Sequence, residues 1–223
     1  MAINYNRPQI VTNGLVLCLD AGDVQSYSGS GTTWTDRSGN GNDVTLYNSP
    51  TFTTDNKGSL NFDEANDYGK TSSTTVLNSS SYTKIAWFRP EEACANIISG
   101  GSYSQHAFWM AGTNHTLSAG HNNSWYRVSY RPNPSGDMVG QWWCGAVTFN
   151  TTSGWVLYMN GDQVNTSSDT TVISGNGIIR IGAYNDASNL FNGDINIVQI
   201  YNRVLTAGEV LQNYNATRGR FGL

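Results

Sequence analysis

The run Phe191 to Leu205, FNGDINIVQIYNRVL, limits the fold more than any other part of the chain. Between the turn signals Asn192-Gly193 and Asn202-Arg203 it is β-branched and aromatic, the composition of a strand inside a sheet. A helix signal follows at once. Thr206 and Glu209 have the spacing of a capping box, and Leu205 and Val210 that of a hydrophobic staple. Val210, Leu211 and Tyr214 continue one apolar stripe, and Gly219 is the expected stop. A strand apolar on both faces needs a complete sheet system around it.

With 223 residues the chain is long enough for one large all-β domain. No Pro/Ser-rich hinge or charge block divides it, so the reading is an N-terminal arm over residues 1–13 and a single domain over 14–223. Hydrophobic residues make up 38% and charged ones only 13%, with 24 glycines, the balance of short strands joined by tight turns. Net charge is −4 and the twelve basic residues are scattered, which excludes a nucleic-acid partner, since phosphate contacts need clustered Lys and Arg. No run approaches the roughly 20 apolar residues of a membrane span, and the first residues lack the apolar core of a signal peptide. Neither membrane insertion nor secretion is therefore expected. Cys18, Cys94 and Cys144 are odd in number and lack C-x-x-C spacing, as buried thiols of a reducing compartment would be.

Leu15 to Asp20 is apolar on both faces and reads as a strand between layers. Further strand signals recur at 44–47, 59–62, 82–88, 96–99, 107–111, 116–119, 125–130, 142–149, 155–159, 163–166 and 178–181, spaced for a two-sheet sandwich. Asn160-Gly161 is a two-residue hairpin signal of the type I′ kind. No repeat at fixed period is present, which excludes propellers and β-helices.

In this order, Gly14 to Asp20, Asp36 to Asp43, Leu60 to Asp63 with Asp67-Tyr68, Tyr82 to Phe88, Trp143 to Phe149, Leu157 to Gly161 and Gly193 to Leu205 resemble a laminin-G-like, concanavalin A-like jelly-roll domain. The likeness spans residues 14 to 214. It implies an all-β, two-sheet antiparallel sandwich of six or seven strands per sheet, closed by a short C-terminal helix. Leu211 to Asn215 with the closing Arg218 to Leu223 is similar to single-domain structural proteins of tailed bacteriophages. That resemblance implies a non-enzymatic virion surface protein made in the host cytoplasm. It would decorate a capsid or form part of a fibre, with other virion proteins as partners and host-surface glycans as ligands. The alternative is a free carbohydrate-binding lectin, and a glycan hydrolase ranks last.

Hydrolysis needs two carboxylates about 5 Å apart for retention, projecting from one strand face. Glu91 and Glu92 are adjacent, so they point to opposite faces if extended; Glu64 sits in a turn-like run, and Glu209 is explained by the cap. His106, His115 and His121 have no Ser or Cys partner and read as surface or strand-end imidazoles. Glycan binding requires aromatic rings for sugar faces and Asn or Asp for hydroxyls. Trp87, Trp143 and Trp155 fall in core strands, which leaves Trp109, Trp125, Tyr126 and Tyr103 as one candidate rim and Tyr184, Asn185 and Asp186 as another. No cofactor is required. The one that the resemblance allows is a structural calcium, held by Asp20 and by a last-strand position occupied here by Asn196, with Asp194 two residues earlier on the same face. Asp36, Asn40 and Asn42 form a second candidate set, with Asx-turn bonding as its alternative.

Overall fold

The computed structural model describes residues 8–73, 76–77, 80–92, 95–100, 106–112, 116–121, 124–132, 138–171, 178–184, 186 and 188–223. In chain order the strands are β1 (Leu15–Asp20), β2 (Thr33–Trp34), β3 (Val44–Tyr47), β4 (Thr51–Thr53), β5 (Ser59–Asp63), β6 (Tyr68–Thr71), β7 (Ser81–Pro90), β8 (Ala95–Gly100), β9 (Ala107–Ala111), β10 (Thr116–Gly120), β11 (Val128–Tyr130), β12 (Trp143–Asn150), β13 (Gly154–Met159), β14 (Asp162–Ser167), β15 (Ile179–Ile181) and β16 (Asn192–Tyr201). Helix α1 (Ala207–Thr217) and a 3-10 turn at Arg218–Arg220 close the chain.

Among the described residues, two antiparallel sheets of eight strands each stack into the expected sandwich. Sheet one runs β14-β13-β12-β7-β16-β5-β4, with β1 also paired to β16; sheet two runs β11-β10-β9-β8-β15-β6-β3-β2. The extra strands over the expected number include β2, β4 and β6, which are only two to four residues long and interrupted by Thr, Gly or Lys. Asn160 and Gly161 both take positive φ, 51° and 87°, as the type I′ hairpin between β13 and β14 demands.

β16 is the centre of sheet one. β7 pairs along it from Gly193 to Tyr201, while its other edge is shared by β5 at Asn192–Ile195 and β1 at Ile197–Tyr201. A bulge interrupts the β7 ladder between Ile195 and Ile197. Because the bulge adds one residue to the two-residue period, Ile195 enters the space between the sheets while Ile197 turns to the opposite face. The same alternation on β7 sends Tyr82, Ala86 and Phe88 inward and Ile85 and Trp87 outward.

Two apolar layers result. One lies between the sheets, around Leu17, Phe62, Phe88, Phe108, Phe149 and Val198. The other lies on the outer face of sheet one, where Val11, Leu205, Val210 and Phe221 cover Ile85, Trp87, Cys144, Ile197 and Tyr201. Phe221 stacks on Trp87 with centroids 3.9 Å apart and 11° between planes. The capping box is formed, with Thr206 and Glu209 serving each other's backbone N–H groups. Helix α1 stops at Thr217 rather than at Gly219, because the chain tightens into the 3-10 turn that carries Arg220 and Phe221 back onto the sheet. Residues 8–13 are tied down by Val11, whose N–H donates to Asn213 Oδ1 and whose carbonyl accepts from Tyr201 Oη, each at 2.8 Å.

Gly193 opens β16 at φ 129°, and a Cβ there would stand 2.2 Å from the Arg89 carbonyl oxygen. Gly193→Ala is expected to cost roughly 2 kcal/mol or more and to lower the melting temperature by about 4–8 °C. Gly219→Ala, at ordinary φ with no atom within 4 Å of the added Cβ, is expected to leave it unchanged or slightly raised. Thermal melts followed by circular dichroism decide between these outcomes.

Candidate functional site

Since helix, tail and residues 8–13 occupy the outer face of sheet one, the broad sheet surface left for a ligand is the outer face of sheet two. Along β9, Phe108 and Met110 enter the core, and Ala107, Trp109 and Ala111 take the opposite face with Trp125 packed on them. Trp109 is 7% exposed and its Nε1–H donates to the Trp125 carbonyl at 3.0 Å, fixing the turn before β11. The Trp125 ring stands edge-on to Trp109 at 4.9 Å, Tyr126 lies 5.2 Å from Trp109, and Tyr184 lies 4.5 Å from Trp125. Trp125 and Tyr184 are half-buried, while Tyr126 is 60% exposed. Trp109 therefore acts as a pedestal, and the other three rings offer the accessible surface.

Trp125 and Tyr184, assigned from the sequence to separate rims, thus meet in one cluster. Tyr103 and Asn185 lie outside the described residues, as does His115. The loop that carries Tyr184 is anchored to β8: Ser99 Oγ donates to the Ala183 carbonyl at 2.5 Å, and the Asn96 N–H to the Asn189 carbonyl at 3.1 Å. Asp186 accepts from Lys70 Nζ at 2.8 Å and Arg180 Nε at 2.6 Å. Lys70 and Arg180 sit directly opposite each other on β6 and β15, a repulsive placement that the carboxylate between them relieves. Partial burial pushes the Asp186 carboxyl up, but the bonds from Lys70 and Arg180 outweigh this and hold it below its ordinary value. Beyond Lys70, Tyr47 and Tyr68 stack at 4.6 Å, and Tyr47 is 37% exposed. Reading the sequence missed Tyr47, Lys70 and Arg180. The alternation Tyr68-x-Lys70 was the available signal, and it marks a face only once β6 is known to pair with β3 and β15.

The expected metal ligands are engaged by the protein itself. Asp20 is held bidentately by Arg220, with Nη1 to Oδ1 at 2.5 Å and Nη2 to Oδ2 at 2.9 Å. Asn196 Oδ1 accepts from the same Nη1 at 2.9 Å. Asp194, two residues before Asn196, pairs with Arg89 Nη2 at 2.5 Å and accepts from Asn61 Nδ2 at 3.3 Å. Asp36 accepts from the N–H groups of Cys18, Ser38 and Asn42, and Asn40 Nδ2 donates to the Leu15 carbonyl, so this set fastens its own loop to β1. As they stand, these donor sets leave no converging free oxygens for calcium.

A second group of chemically capable side chains lies sealed inside. Contrary to the surface reading, His106 and His121 are both fully buried. Their rings are 6.3 Å apart, with His121 packed 4.6 Å from Trp155 and His106 5.2 Å from Tyr82. Lys84 points into this group and donates to the His106 carbonyl. Burial lowers the Lys84 amine well below its ordinary value. Burial also lowers His106, with Lys84 and His121 adding to the effect and the Leu77 carbonyl opposing it. His121 is lowered to about 3 by burial, then by Lys84 and Arg127, with Asp169 opposing.

Two antiparallel sheets, one outer face closed by helix and tail and the other bearing a partly exposed ring cluster, define a lectin-type β-sandwich. A family profile described as the concanavalin A-like lectin/glucanases superfamily matches residues 63–211, and the chain belongs to that superfamily. No curated protein matches it. Among solved structures, the receptor-binding domain of botulinum neurotoxin type G is similar at TM-score 0.69 and 17% identity, over 91% of this chain and 51% of that one. The neurotoxin DC binding domain in complex with rat synaptotagmin II is similar at TM-score 0.69 and 16% identity, over 93% and 52%. Domain 4 of AbnA, an extracellular arabinanase from Geobacillus stearothermophilus in complex with arabinotriose, is similar at TM-score 0.67 and 16% identity, over 90% and 98%. The chain spans about half the length of the neurotoxin binding domains it matches. At these identities the likeness is one of fold.

The sealed imidazoles make stability depend on pH. Below about pH 6.5 the unfolded chain takes up protons that native His121 refuses until about pH 3, so the native state loses stability throughout that window. The slope is about 1.4 kcal/mol per pH unit for each proton taken up. Urea midpoints are expected to fall between pH 7 and about pH 4.5, and to fall less in His121→Gln. An equal fall in the variant would show that other groups carry the effect.

Proposed function

We propose that the chain is a carbohydrate-binding module whose contact surface is the outer face of sheet two, with Trp125, Tyr126 and Tyr184 stacking on sugar rings. The observation that carries this reading is the meeting of Trp125, Tyr126 and Tyr184 over the buried Trp109, beside Asp186 with its two cations. Such rings offer apolar area with little conformational freedom to lose, and the polar groups beside them can grip hydroxyls. The neighbour solved with arabinotriose supports the assignment to sugars, as a likeness of fold.

Binding without catalysis is part of the proposal. Asp186, two residues after Tyr184, is committed to Lys70 and Arg180. Glu91 and Glu92 stand together in an exposed bend rather than facing each other across a cleft.

The proposed setting is the surface of a tailed-bacteriophage virion, as the resemblance of the closing residues implies. Within the fold those residues also have structural work: Asn213 bonds Val11 and Tyr201, Arg220 bonds Asp20, and Phe221 stacks on Trp87. Finding the chain by mass spectrometry in purified virions would support that setting, and its absence would overturn it.

A glycan array that includes arabinan fragments and sialylated oligosaccharides tests the binding. The wild-type chain is expected to bind at least one glycan class. Tyr126→Ala, at an exposed position, and Tyr184→Ala are each expected to weaken that binding about 5- to 30-fold, roughly 1–2 kcal/mol. Tyr126→Ala should do so without a change in melting temperature. No binding above background across the array would remove the proposal.

A further inference from the structure

Two separated strands of sheet one bring oxygen atoms to a single point, and the chain fills that point with its own cation. Asp20 ends β1, Asn196 is the bulged residue of β16, and Gly58 precedes β5. The Asn196 amide is oriented from behind, because its Nδ2 donates to the Gly58 carbonyl at 2.5 Å and to Ser59 Oγ at 3.1 Å. Its Oδ1 consequently faces forward, toward the two oxygens of Asp20. Asn196 is fully buried, so this oxygen needs a donor. Gly22 leaves the approach open: a Cβ there would stand 2.8 Å from Arg220 Nη1. One carboxylate and one amide oxygen aimed at a common point form the beginning of a hard-cation site. Here the guanidinium of Arg220 occupies it, with its planar fork matched to the carboxylate. The fork is delivered by the 3-10 turn and by Phe221, which is clamped between Trp87 at 3.9 Å and Trp142 at 4.8 Å.

We infer that Arg220 is a built-in cation that joins β1 and β16 in the role a divalent metal would otherwise fill, and that removing it uncovers a site for a hard divalent cation. The closing turn is then a latch whose charged tip and whose apolar Phe221 act on the same sheet. Ligand and latch compete for one set of oxygens, so the intact chain does not respond to calcium.

Melting temperatures of the full chain in chelator and in excess calcium chloride test this. For the wild type the two values are expected to coincide. Arg220→Ala is expected to melt lower in chelator and to regain about 5–10 °C at a hundredfold excess of calcium over its dissociation constant. Adding Asp20→Asn to that variant should abolish the recovery. A calcium-dependent rise in the wild type would overturn the inference, as would an Arg220→Ala protein that folds but ignores calcium. If Arg220→Ala folds only with calcium, the inference is supported. If it folds under neither condition, Arg220→Gln is measured the same way, and its lack of response would overturn the inference.

Discussion

Ile195, Val198 and Ile200 leave one face of β16, and Ile197 and Tyr201 leave the other, so neither face of that strand can meet water. Each such side chain left exposed forfeits about 1.5–3 kcal/mol, and a handful of them is comparable with the roughly 5–15 kcal/mol by which whole domains are stable. Sheet one therefore needs a layer on each side. Sheet two supplies one layer, and α1, the closing turn and Val11 supply the other. The outer face of sheet one is consumed in the process. What remains for partners is the outer face of sheet two, where among the described residues no helix is packed and where rings are left partly open.

Charge and burial separate structural chemistry from surface chemistry. Where a buried acid has a cation in reach it stays paired, as Asp194 does with Arg89. Where a buried base has no acid beside it, as with Lys84, burial favours the neutral form. Lys84, His106, His121 and Tyr82 have the vocabulary of an active site, yet no side chain among them reaches the surface. Trp125, Tyr126 and Tyr184 have access instead: the first and last are half-buried and Tyr126 is exposed. In a sandwich of this kind access discriminates better than reactivity.

The two long strands, the capping box, the type I′ hairpin and the Asx-bonded loop could be read from local sequence because each depends on residues within a few positions of one another. The fold class followed from them. The meeting of Trp125 with Tyr184 could not be read, since it requires knowing that β15 lies beside β8 and that the loop before β16 folds over it. The short strand β6 was hidden by Gly69 and Lys70, and with it the polar part of the face. The bulge at Asn196 was hidden as well, because a one-residue insertion leaves composition unchanged while reversing which residues share a face. That is why Ile195 and Ile197, spaced for one side of a regular strand, lie in different layers.

Asparagine at 196 is also what a monovalent internal cation requires. With Arg220 in place, Asp20 and the guanidinium sum to zero charge at a site where their side chains are only 21% and 17% exposed. A second carboxylate at 196 would leave a net negative charge there, and it would turn an oxygen toward the Gly58 carbonyl, where the amide now donates. Both changes are unfavourable in a partly desolvated setting. A divalent metal reverses the preference, since two carboxylates would then balance its charge. The amide and the arginine are thus two parts of one choice, and the bulge that presents Asn196 makes the choice available to the closing turn.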